Sequence, residues 1–464
     1  MTELQRTIEE RVRQIQSDVS VNGRDELTLL LDNIKRYLLE IWENDIEFVE
    51  KGPTGHPRFD YRNIIHSRAM AYELDRRIQL ISEYQLTSAT RIVDLLLAGI
   101  NPPTPLLLTQ RQVTLLNVLG RNPEISVSAL TREISSTHRT IKQEKERLFE
   151  LYGVHIASIL DPHCFRLAHY SVHFHTKSSE AAQKFDKWLR FNCLDSFPFL
   201  LGFAFNVDHQ QGYFTLYIPD QHSHLTAFQR EILKLEKQFL EDVQVHRILG
   251  CYTNTSFDWY DYSAQEWELK ADLHTVGTLH FIKEHGDQFP QPRGFLYTNQ
   301  PIRFDQIDWI IATTYTGFPL EKSERYNILA GHGFTLSEKN KWNLEQKLKK
   351  TGTLFPYLTF STLAFNDFLC YFIICSQQTI TTLLQISQQL PFSRLHPTEK
   401  GAILILGLPR EGPSFVKHMT RTLVQLPGVK DFTVNRCEHD IHLTPYPSTG
   451  HLWNSSSQLW MKNE

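Results

Sequence analysis

The first hundred residues carry apolar positions at helical spacing. One stripe recurs every three or four residues among Glu, Arg and Gln: Leu4, Ile8, Val12, Ile15 and Val19. This spacing places the apolar side chains on one face of an α-helix. Residues 27–49 continue the pattern, and 62–82 and 87–98 predict two more helices. We therefore predict an all-helical region over 1–100. This region shows no catalytic motif, so we expect it to be a packing or oligomerisation domain.

Three short helical segments follow a proline-rich linker at 101–105. The segments cover 108–119, 127–134 and 137–152, and a Ser135-Ser136 turn precedes the last of them. Three helices with a tight turn before the third are typical of a helix-turn-helix. Because serine is a favoured N-cap, we expect Ser135 or Ser136 to cap the third helix.

The pattern then changes to short apolar strands alternating with helices. The predicted elements are a strand at 169–176, a helix at 179–191, strands at 199–207 and 213–218, a helix at 223–242 and a strand at 245–252. Gly212 marks the hairpin between the second and third strands. The order β-α-β-β-α-β is that of a ferredoxin-like domain.

The same order recurs in the second half of the chain. Helices are predicted at 304–313, 323–330 and 337–350, followed by strands and helices at 368–375, 379–389, 393–397, 402–408, 412–425 and 429–435. Repetition of an element order supports the fold more strongly than either copy alone. We predict an α+β fold, in which an all-helical N-terminal region precedes two tandem units. Each unit is a (winged) helix-turn-helix plus a ferredoxin-like βαββαβ domain.

The predicted domain boundaries follow from these patterns. They are a helical region at 1–100, a first helix-turn-helix at 106–155, a first ferredoxin-like domain at 156–253, a connector at 254–300, a second helix-turn-helix at 301–358, a second ferredoxin-like domain at 359–445 and a tail at 446–464. Two copies in one chain would supply a two-fold pairing internally, as dimers of helix-turn-helix proteins do with two chains. We expect a monomeric pseudo-dimer or a dimer of such units.

Composition narrows the class of protein. The 464 residues carry a net charge of −4, which weighs against indiscriminate nucleic-acid binding. The longest apolar runs, such as Phe368–Cys375, are far shorter than the ~20 residues that span a bilayer. The charged N-terminus lacks the apolar core of a signal peptide. Six cysteines form no CxxC pair, which gives no support to a zinc or redox motif. We expect a cytoplasmic protein with no membrane partner and no metal.

Both helix-turn-helix segments resemble the Lrp/AsnC family of transcriptional regulators. The resemblance is carried by ISSTHRTIKQEKERLFELYGVHIASILDP in the first copy, by FTLSEKNKWNLEQKLKKTGTLFPYLTFSTLAFNDF in the second, and by the strand GYFTLYIP. It covers roughly 108–253 and 303–443. It implies a sequence-specific DNA-binding regulator of transcription, with sheet domains that self-associate and can hold a small-molecule effector. It also implies no enzymatic activity, no catalytic residues and no cofactor.

The resemblance predicts contacts with double-stranded DNA at the start of each third helix. The candidate residues are Ser136, Thr137, His138, Arg139, Lys142, Gln143 and Lys145 in the first copy, and Ser337, Lys339, Asn340 and Lys341 in the second. Arg139, Lys142 and Gln143 have the side chains that read base edges by paired hydrogen bonds. Residues 131–150 carry five basic and four acidic side chains, whereas 335–350 carry five and two. We therefore expect the second helix to hold DNA more strongly by charge.

Three other hypotheses remain open. His169, His173 and His175 alternate along one predicted strand, so they share a face that could hold a metal or a haem-like ligand. The simpler interpretation is an ordinary strand face. Sirohaem decarboxylases share the same fold outline, so a tetrapyrrole enzyme is an alternative function. A third is a protein-interaction scaffold whose helix-turn-helix units no longer bind DNA. Nucleotide-binding, zinc-protease and α/β-hydrolase motifs are absent from the sequence.

Overall fold

A computed structural model defines most of the chain. The residues that it describes are 3–19, 23–44, 59, 67–100, 106–191, 193–206, 210–258, 260–267, 294–297, 303–360, 367–388, 390–408, 412–437, 441–442 and 447–461. The proline-rich linker predicted at 101–105 and most of the connector predicted at 254–300 lie outside these residues.

The described secondary-structure elements of the N-terminal region are helices, as the apolar stripe predicts. They are α1 (Glu3–Asp18), α2 (Arg24–Asn44), α3 (Ser67–Tyr84) and α4 (Ala89–Leu97). Arg77 is fully buried among them, and its Nη1 donates to the carbonyls of Leu95, Leu96 and Ala98 at the end of α4. Glu73 neutralises Arg77 at 2.7 Å. A buried arginine thus satisfies the carbonyls that the end of a helix leaves unpaired.

The first helix-turn-helix consists of α5 (Gln110–Arg121), α6 (Val127–Glu133) and α7 (His138–Tyr152). Our expectation that Ser135 or Ser136 caps the third helix is wrong. Thr137 is the N-cap, and its hydroxyl accepts from the backbone N–H of Thr140. Ser135 instead turns the chain in the left-handed region, with φ of 51°. Because Ser135 reverses the chain direction, the N-cap lies two residues later, at Thr137.

The first ferredoxin-like domain follows the predicted element order. The strand β1 (His155–Leu160) precedes the domain. The elements of the domain are β2 (Leu167–Thr176), α8 (Ser179–Phe191), the short α9 (Cys193–Ser196), β3 (Leu200–Phe205), β4 (Gln211–Pro219), α10 (His222–Gln238) and β5 (Leu240–Ile248). All its strand pairs are antiparallel, in the order β5-β2-β4-β3. The strand β6 (Gly250–Thr255) follows β5 directly, and the two are separated only by Leu249.

The described residues of the connector include the short strands β7 (Tyr260–Asp261), β8 (Glu266–Trp267) and β9 (Gly294–Leu296). The second unit then repeats the first. Its elements are α11 (Gln306–Thr313), α12 (Lys322–Gly331), α13 (Glu338–Lys350), β10 (Leu354–Thr359), β11 (Asp367–Cys375), α14 (Gln377–Ser387), β12 (Phe392–Thr398), β13 (Gly401–Leu408), α15 (Gly412–Gln425) and β14 (Val429–Cys437). The strand order β14-β11-β13-β12 matches that of the first copy.

Four strand pairings in the described residues join the two copies within one chain, and the shortest is the single pair Thr398–Ile248 between β12 and β5. The strands β1 and β10 pair antiparallel, with Ala157 opposite Tyr357. On one side of the sheets, β6 crosses to pair with β12 of the second copy. On the other side, β15 (Ile441–His442) follows β14 and pairs with β3 of the first copy. Each copy thus extends its last strand onto the edge strand of the other. This is a pseudo-two-fold arrangement, as the tandem order predicts.

The N-terminal helices pack against the second helix-turn-helix, and Tyr72 of α3 also contacts Phe203 of the first ferredoxin-like domain. Arg91 of α4 lies 3.2 Å from Glu324 of α12, and the apolar faces of α1–α4 share a core with Trp309, Leu344 and Leu348. The first helix-turn-helix has a separate core, which the connector residues Phe257 and Tyr260 complete. The two units therefore have the same fold but different surroundings.

The segment at 447–461 closes the core around the second helix-turn-helix. Within it, β16 (Trp453–Asn454) and β17 (Leu459–Trp460) form a hairpin that buries both tryptophans. The indole N–H of Trp460 donates to the carbonyl of Phe165 at 2.7 Å. Within the described ranges, no helix combines the length and apolarity needed to cross a membrane.

Replacement of Trp460 by alanine tests this packing. The side chain is 2% exposed and contacts Phe199, Trp309 and Trp453. We expect Trp460→Ala to lower the free energy of unfolding by about 3–5 kcal/mol, because a large buried side chain leaves a cavity. Urea unfolding followed by circular dichroism measures the change. Trp342→Ala is the matched control, since Trp342 is 57% exposed and its loss should change stability by under about 0.5 kcal/mol.

Candidate functional site

The predicted DNA-contacting residues of the first copy lie at the start of α7. His138, Arg139, Lys142, Gln143 and Lys145 are all exposed. The ammonium of Lys142 lies 3.7 Å from the carboxylate of Glu146, a solvent-exposed pair that holds its partners weakly. Thr137 caps the helix and Ser136 is partly buried in the turn. The start of α7 therefore presents a polar, accessible surface.

The second copy differs in how its basic residues are used. Ser337 caps α13, because its hydroxyl accepts from the backbone N–H of Asn340. Lys339 and Asn340 are exposed. Lys341 is not, since its ammonium lies 2.6 Å from Glu338 and 5.0 Å from the ring centre of Tyr326. One of the predicted DNA contacts is thus already engaged within the protein.

A second candidate site lies between the two facing sheets. On β2, Val172 and Phe174 face the helices of the first copy, so the alternate positions face the opposite sheet. Buried polar side chains meet there from strands and loops of both copies. We call them the intersheet cluster: His163, His169, Tyr217, Tyr297, Arg394 and His396. All except the half-buried His163 are less than 9% exposed.

His169 is the centre of this cluster. Its Nδ1 lies 2.8 Å from the hydroxyl of Tyr297, whereas its Nε2 is buried with no hydrogen-bond partner in the described part of the chain. The ring contacts Tyr217 and His396 edge-on, at 5.1 and 5.8 Å between centroids. Buried polar atoms are nearly always paired, so an unpaired imidazole nitrogen among polar groups indicates a place for a ligand.

Burial sets the protonation of the intersheet cluster. The pKa of His169 is held well below its usual value by burial, and further by the nearby His396, His163 and Arg394. Burial raises the pKa of both Tyr217 and Tyr297. His169 is therefore neutral near pH 7, with one nitrogen able to accept a proton or a hydrogen bond. Clustered groups with perturbed pKa values at a domain interface are typical of functional sites.

The other two histidines of the predicted strand face behave differently. His173 is buried, its Nε2 lies 3.0 Å from the hydroxyl of Ser171, and Phe372 and His246 lie against its ring. Burial lowers the pKa of His173 well below the usual value. His175 is half exposed beside Asp242, at 3.9 Å. The three histidines therefore do not form one site, and no metal-binding group of three appears among the described residues.

Sequence reasoning found His169 but not its partners. Arg394 and His396 lie on β12 of the second copy, and Tyr297 follows β9 in the connector. These segments are more than a hundred residues from β2 along the chain, and no motif links them. The sequence signal available on β12 was a pair of cationic or titratable residues at alternating positions, Arg394 and His396.

Comparison with known proteins gives structural neighbours only. No family model matches the chain, and no curated protein matches it. The crystal structure of siroheme decarboxylase NirDL aligns with 71% of this chain and 92% of its own, at 14% identity and a TM-score of 0.43. Its co-complex with an iron-uroporphyrin III analogue aligns similarly, with a TM-score of 0.42. A transcriptional regulator from Neisseria meningitidis, in complex with L-Met, covers 31% of this chain at 16% identity and a TM-score of 0.25.

The described helices and strands form an α+β fold, as the sequence predicts. The comparison corrects one expectation. The sequence led us to expect that the protein is not an enzyme. That expectation is contradicted, because the neighbour that aligns with 71% of the chain is an enzyme.

The lowered pKa values predict a pH dependence of stability. In the folded protein the pKa values of His169 and His173 lie well below the usual value of a histidine. Below about pH 6.5 the two imidazoles are therefore protonated in the unfolded chain while they stay neutral in the folded protein. The free energy of unfolding should therefore fall as pH drops from 7 to 5, by up to about 1.4 kcal/mol per pH unit and histidine. We expect His169→Gln to flatten this slope in urea titrations at several pH values. His175→Gln, at a half-exposed position of the same strand, should retain the wild-type slope.

Proposed function

We propose that the protein is an enzyme that binds a carboxylate-bearing tetrapyrrole between its two ferredoxin-like sheets and decarboxylates it. The observation that carries this proposal is His169, whose Nδ1 is fixed by Tyr297 while its buried Nε2 has no partner in the described residues. The rings of His169 and His396 lie 5.8 Å apart, and after burial the nearby His396 and Arg394 further lower the pKa of His169.

The chemistry of the intersheet cluster suits an anionic ligand. Apart from His169, it offers a guanidinium and two further imidazoles that can donate hydrogen bonds to carboxylates. A carboxylate bound beside His169 would raise the pKa of that imidazole, because a nearby negative charge favours the protonated form. Binding of the ligand would thus favour the protonated form of His169, and the hydrogen bond to Tyr297 would hold the ring in place.

The extent of the polar surface suits a large ligand. His169 and His173 face the opposite sheet four residues apart on β2, which is about 13 Å at the rise of a strand. That distance is comparable to the width of a tetrapyrrole macrocycle. Phe372 now lies against His173, so its side chain must move for a ligand to reach both histidines.

The proposed reaction needs one proton and no oxidant. The bond between a side-chain methylene and its carboxylate breaks, and the carboxylate leaves as carbon dioxide. The electron pair stays on the methylene carbon and takes a proton, which leaves a methyl group. Protonated His169 is the proposed general acid. An iron atom in the tetrapyrrole would belong to the substrate.

Titration with iron-uroporphyrin III tests the binding step. We expect the wild-type protein to change the visible absorbance of this probe and to bind one equivalent or more. His169→Ala and Arg394→Ala should weaken binding about tenfold or more, because each removes a charge-assisted hydrogen bond to a carboxylate.

The control for this experiment is His175→Ala, which removes a histidine from the same strand at a half-exposed position. It should bind like the wild type. Equal affinity in all four proteins, or no absorbance change with the wild type, would rule out the intersheet cluster as a tetrapyrrole site. Release of carbon dioxide from sirohaem then tests the reaction.

DNA contact by α7 is a second candidate function, which a separate observation favours. The start of this helix is exposed and the N-terminal helices pack elsewhere, so a major groove could approach Arg139, Lys142 and Gln143. The protein would then be a sequence-specific regulator, with the intersheet cluster as its effector site.

Substitution of Arg139 tests this candidate. Arg139→Ala should weaken binding to a selected duplex by about 1–3 kcal/mol and relax its sequence preference, because the guanidinium is proposed to read a base. Fluorescence anisotropy with duplexes recovered from a random pool measures both effects. Arg230→Ala, on α10, removes the same charge from a ferredoxin-like domain. Should both variants bind as the wild type does, α7 is not a reading helix.

A further inference from the structure

The crossing strand β6 carries a buried hydroxyl that the intersheet cluster does not include. Thr253 is 7% exposed, and its Oγ1 has no hydrogen-bond partner in the described residues. Burial of a hydroxyl without a partner costs free energy, because the hydroxyl loses its hydrogen bonds to water. Buried polar side chains are mostly paired, so the position of this hydroxyl needs a physical explanation.

The register of β6 on β12 places Thr253 directly opposite Arg394. Directly opposed residues of an antiparallel pair project to the same face of the sheet, with their Cβ atoms about 4.5–5.5 Å apart. Arg394 belongs to the intersheet cluster, and the Cζ of its guanidinium lies 5.9 Å from the ring centre of Tyr357 on β10. The hydroxyl of Thr253 therefore belongs to the face of β6 that carries the guanidinium's neighbours.

A second residue of β6 identifies this face as a wall of the intersheet cluster. Cys251 precedes Thr253 by two positions, so the two side chains share a face. Burial raises the pKa of the Cys251 thiol to about 11, and the nearby Arg394 acts in the opposite direction. Burial is also the main cause of the raised pKa of Tyr217 and of Tyr297, and the thiol of Cys251 adds to both. This face of β6 therefore lies beside the tyrosines that contact His169.

The seam between β6 and β12 is held on both sides of Thr253. The two strands pair over four consecutive residues, and Thr253 lies within this run. The side-chain amide of the next residue, Asn254, donates to the carbonyls of Gln388 and Leu390 at 3.2 and 2.8 Å. The hydroxyl of Thr253 and the guanidinium of Arg394 are therefore kept as neighbouring donors before any ligand binds, which lowers the entropic cost of binding.

We infer that Thr253 and Arg394 form one subsite for a carboxylate of the ligand, with the hydroxyl and the guanidinium donating to the same group. The occupant follows from the donors, because a guanidinium matches the two oxygens of a carboxylate and a hydroxyl can donate to one of them. This inference rests on the proposed tetrapyrrole-binding function. It adds a contact from the crossing strand, so that the first copy supplies one donor and the second copy the other.

Replacement of the hydroxyl by a methyl group separates a binding role from a structural one. Thr253→Val should weaken the binding of iron-uroporphyrin III about tenfold, because it removes a hydrogen bond to a charged group. The same change should leave the unfolding temperature of the ligand-free protein unchanged or raise it, because the buried hydroxyl has no partner in the described residues. Absorbance titration and thermal unfolding measure the two effects. Thr253→Ser, which keeps the hydroxyl, should retain most of the affinity.

A double-mutant cycle tests whether the two donors hold the same carboxylate. In that case Thr253→Val should weaken binding less in the Arg394→Ala background than in the wild-type background, because the anchor of that carboxylate is already lost. Equal fold-losses in the two backgrounds would contradict a shared carboxylate.

The matched control is Thr255→Val. Thr255 lies two residues further along β6, is 8% exposed, and is opposite Phe392 instead of a cationic residue. It should bind the probe as the wild type does. Wild-type affinity in Thr253→Val, together with weakened binding in His169→Ala, would overturn this inference and leave the proposed function intact. No absorbance change with the wild-type protein would overturn both. Equal losses in Thr253→Val and Thr253→Ser would assign the effect to packing, and a lowered unfolding temperature in Thr253→Val would show that the hydroxyl is already bonded within the protein. Either result would also overturn the inference.

Discussion

The structure depends on the exchange of edge strands between its two copies. A ferredoxin-like sheet has edge strands with unpaired backbone groups and one face that its helices leave uncovered. Here β6 covers the edge of β12, and β15 covers the edge of β3. The two open faces then meet and bury each other. Every polar side chain on those faces therefore needs a hydrogen-bond partner, either within the protein or on a bound ligand.

That constraint explains the composition of the interface. Much of it is apolar, with Ile403, Ile405 and Phe372 on the second copy. The polar exceptions are concentrated where β2 and β12 meet the connector, at His169, His396 and Tyr297. A purely structural interface would be more stable without them, because burying an imidazole costs free energy that few hydrogen bonds return. Their presence in the core is the main physical argument for chemistry at this place.

The two copies have diverged although their folds agree. The N-terminal helices and the 447–461 segment cover the second helix-turn-helix, whereas the connector covers the first. In the second copy, ion pairs hold Lys341 and Lys347 against the protein. Its greater excess of basic residues in the sequence is thus only partly available to a partner. A charge count cannot show this, because it does not tell which side chains lie against one another.

The sequence alone determined the element order, since the spacing of apolar residues and the capping and turn residues act over a few neighbouring positions. It determined the helix-turn-helix units, the βαββαβ order of both copies and the shared face of His169 and His173. Only the tertiary structure decided that these two histidines are buried while His175 is not. It also brought Arg394, His396 and Tyr297 to His169 across more than a hundred residues of chain. Periodicity is a local property, whereas the site depends on how two distant sheets pack face to face.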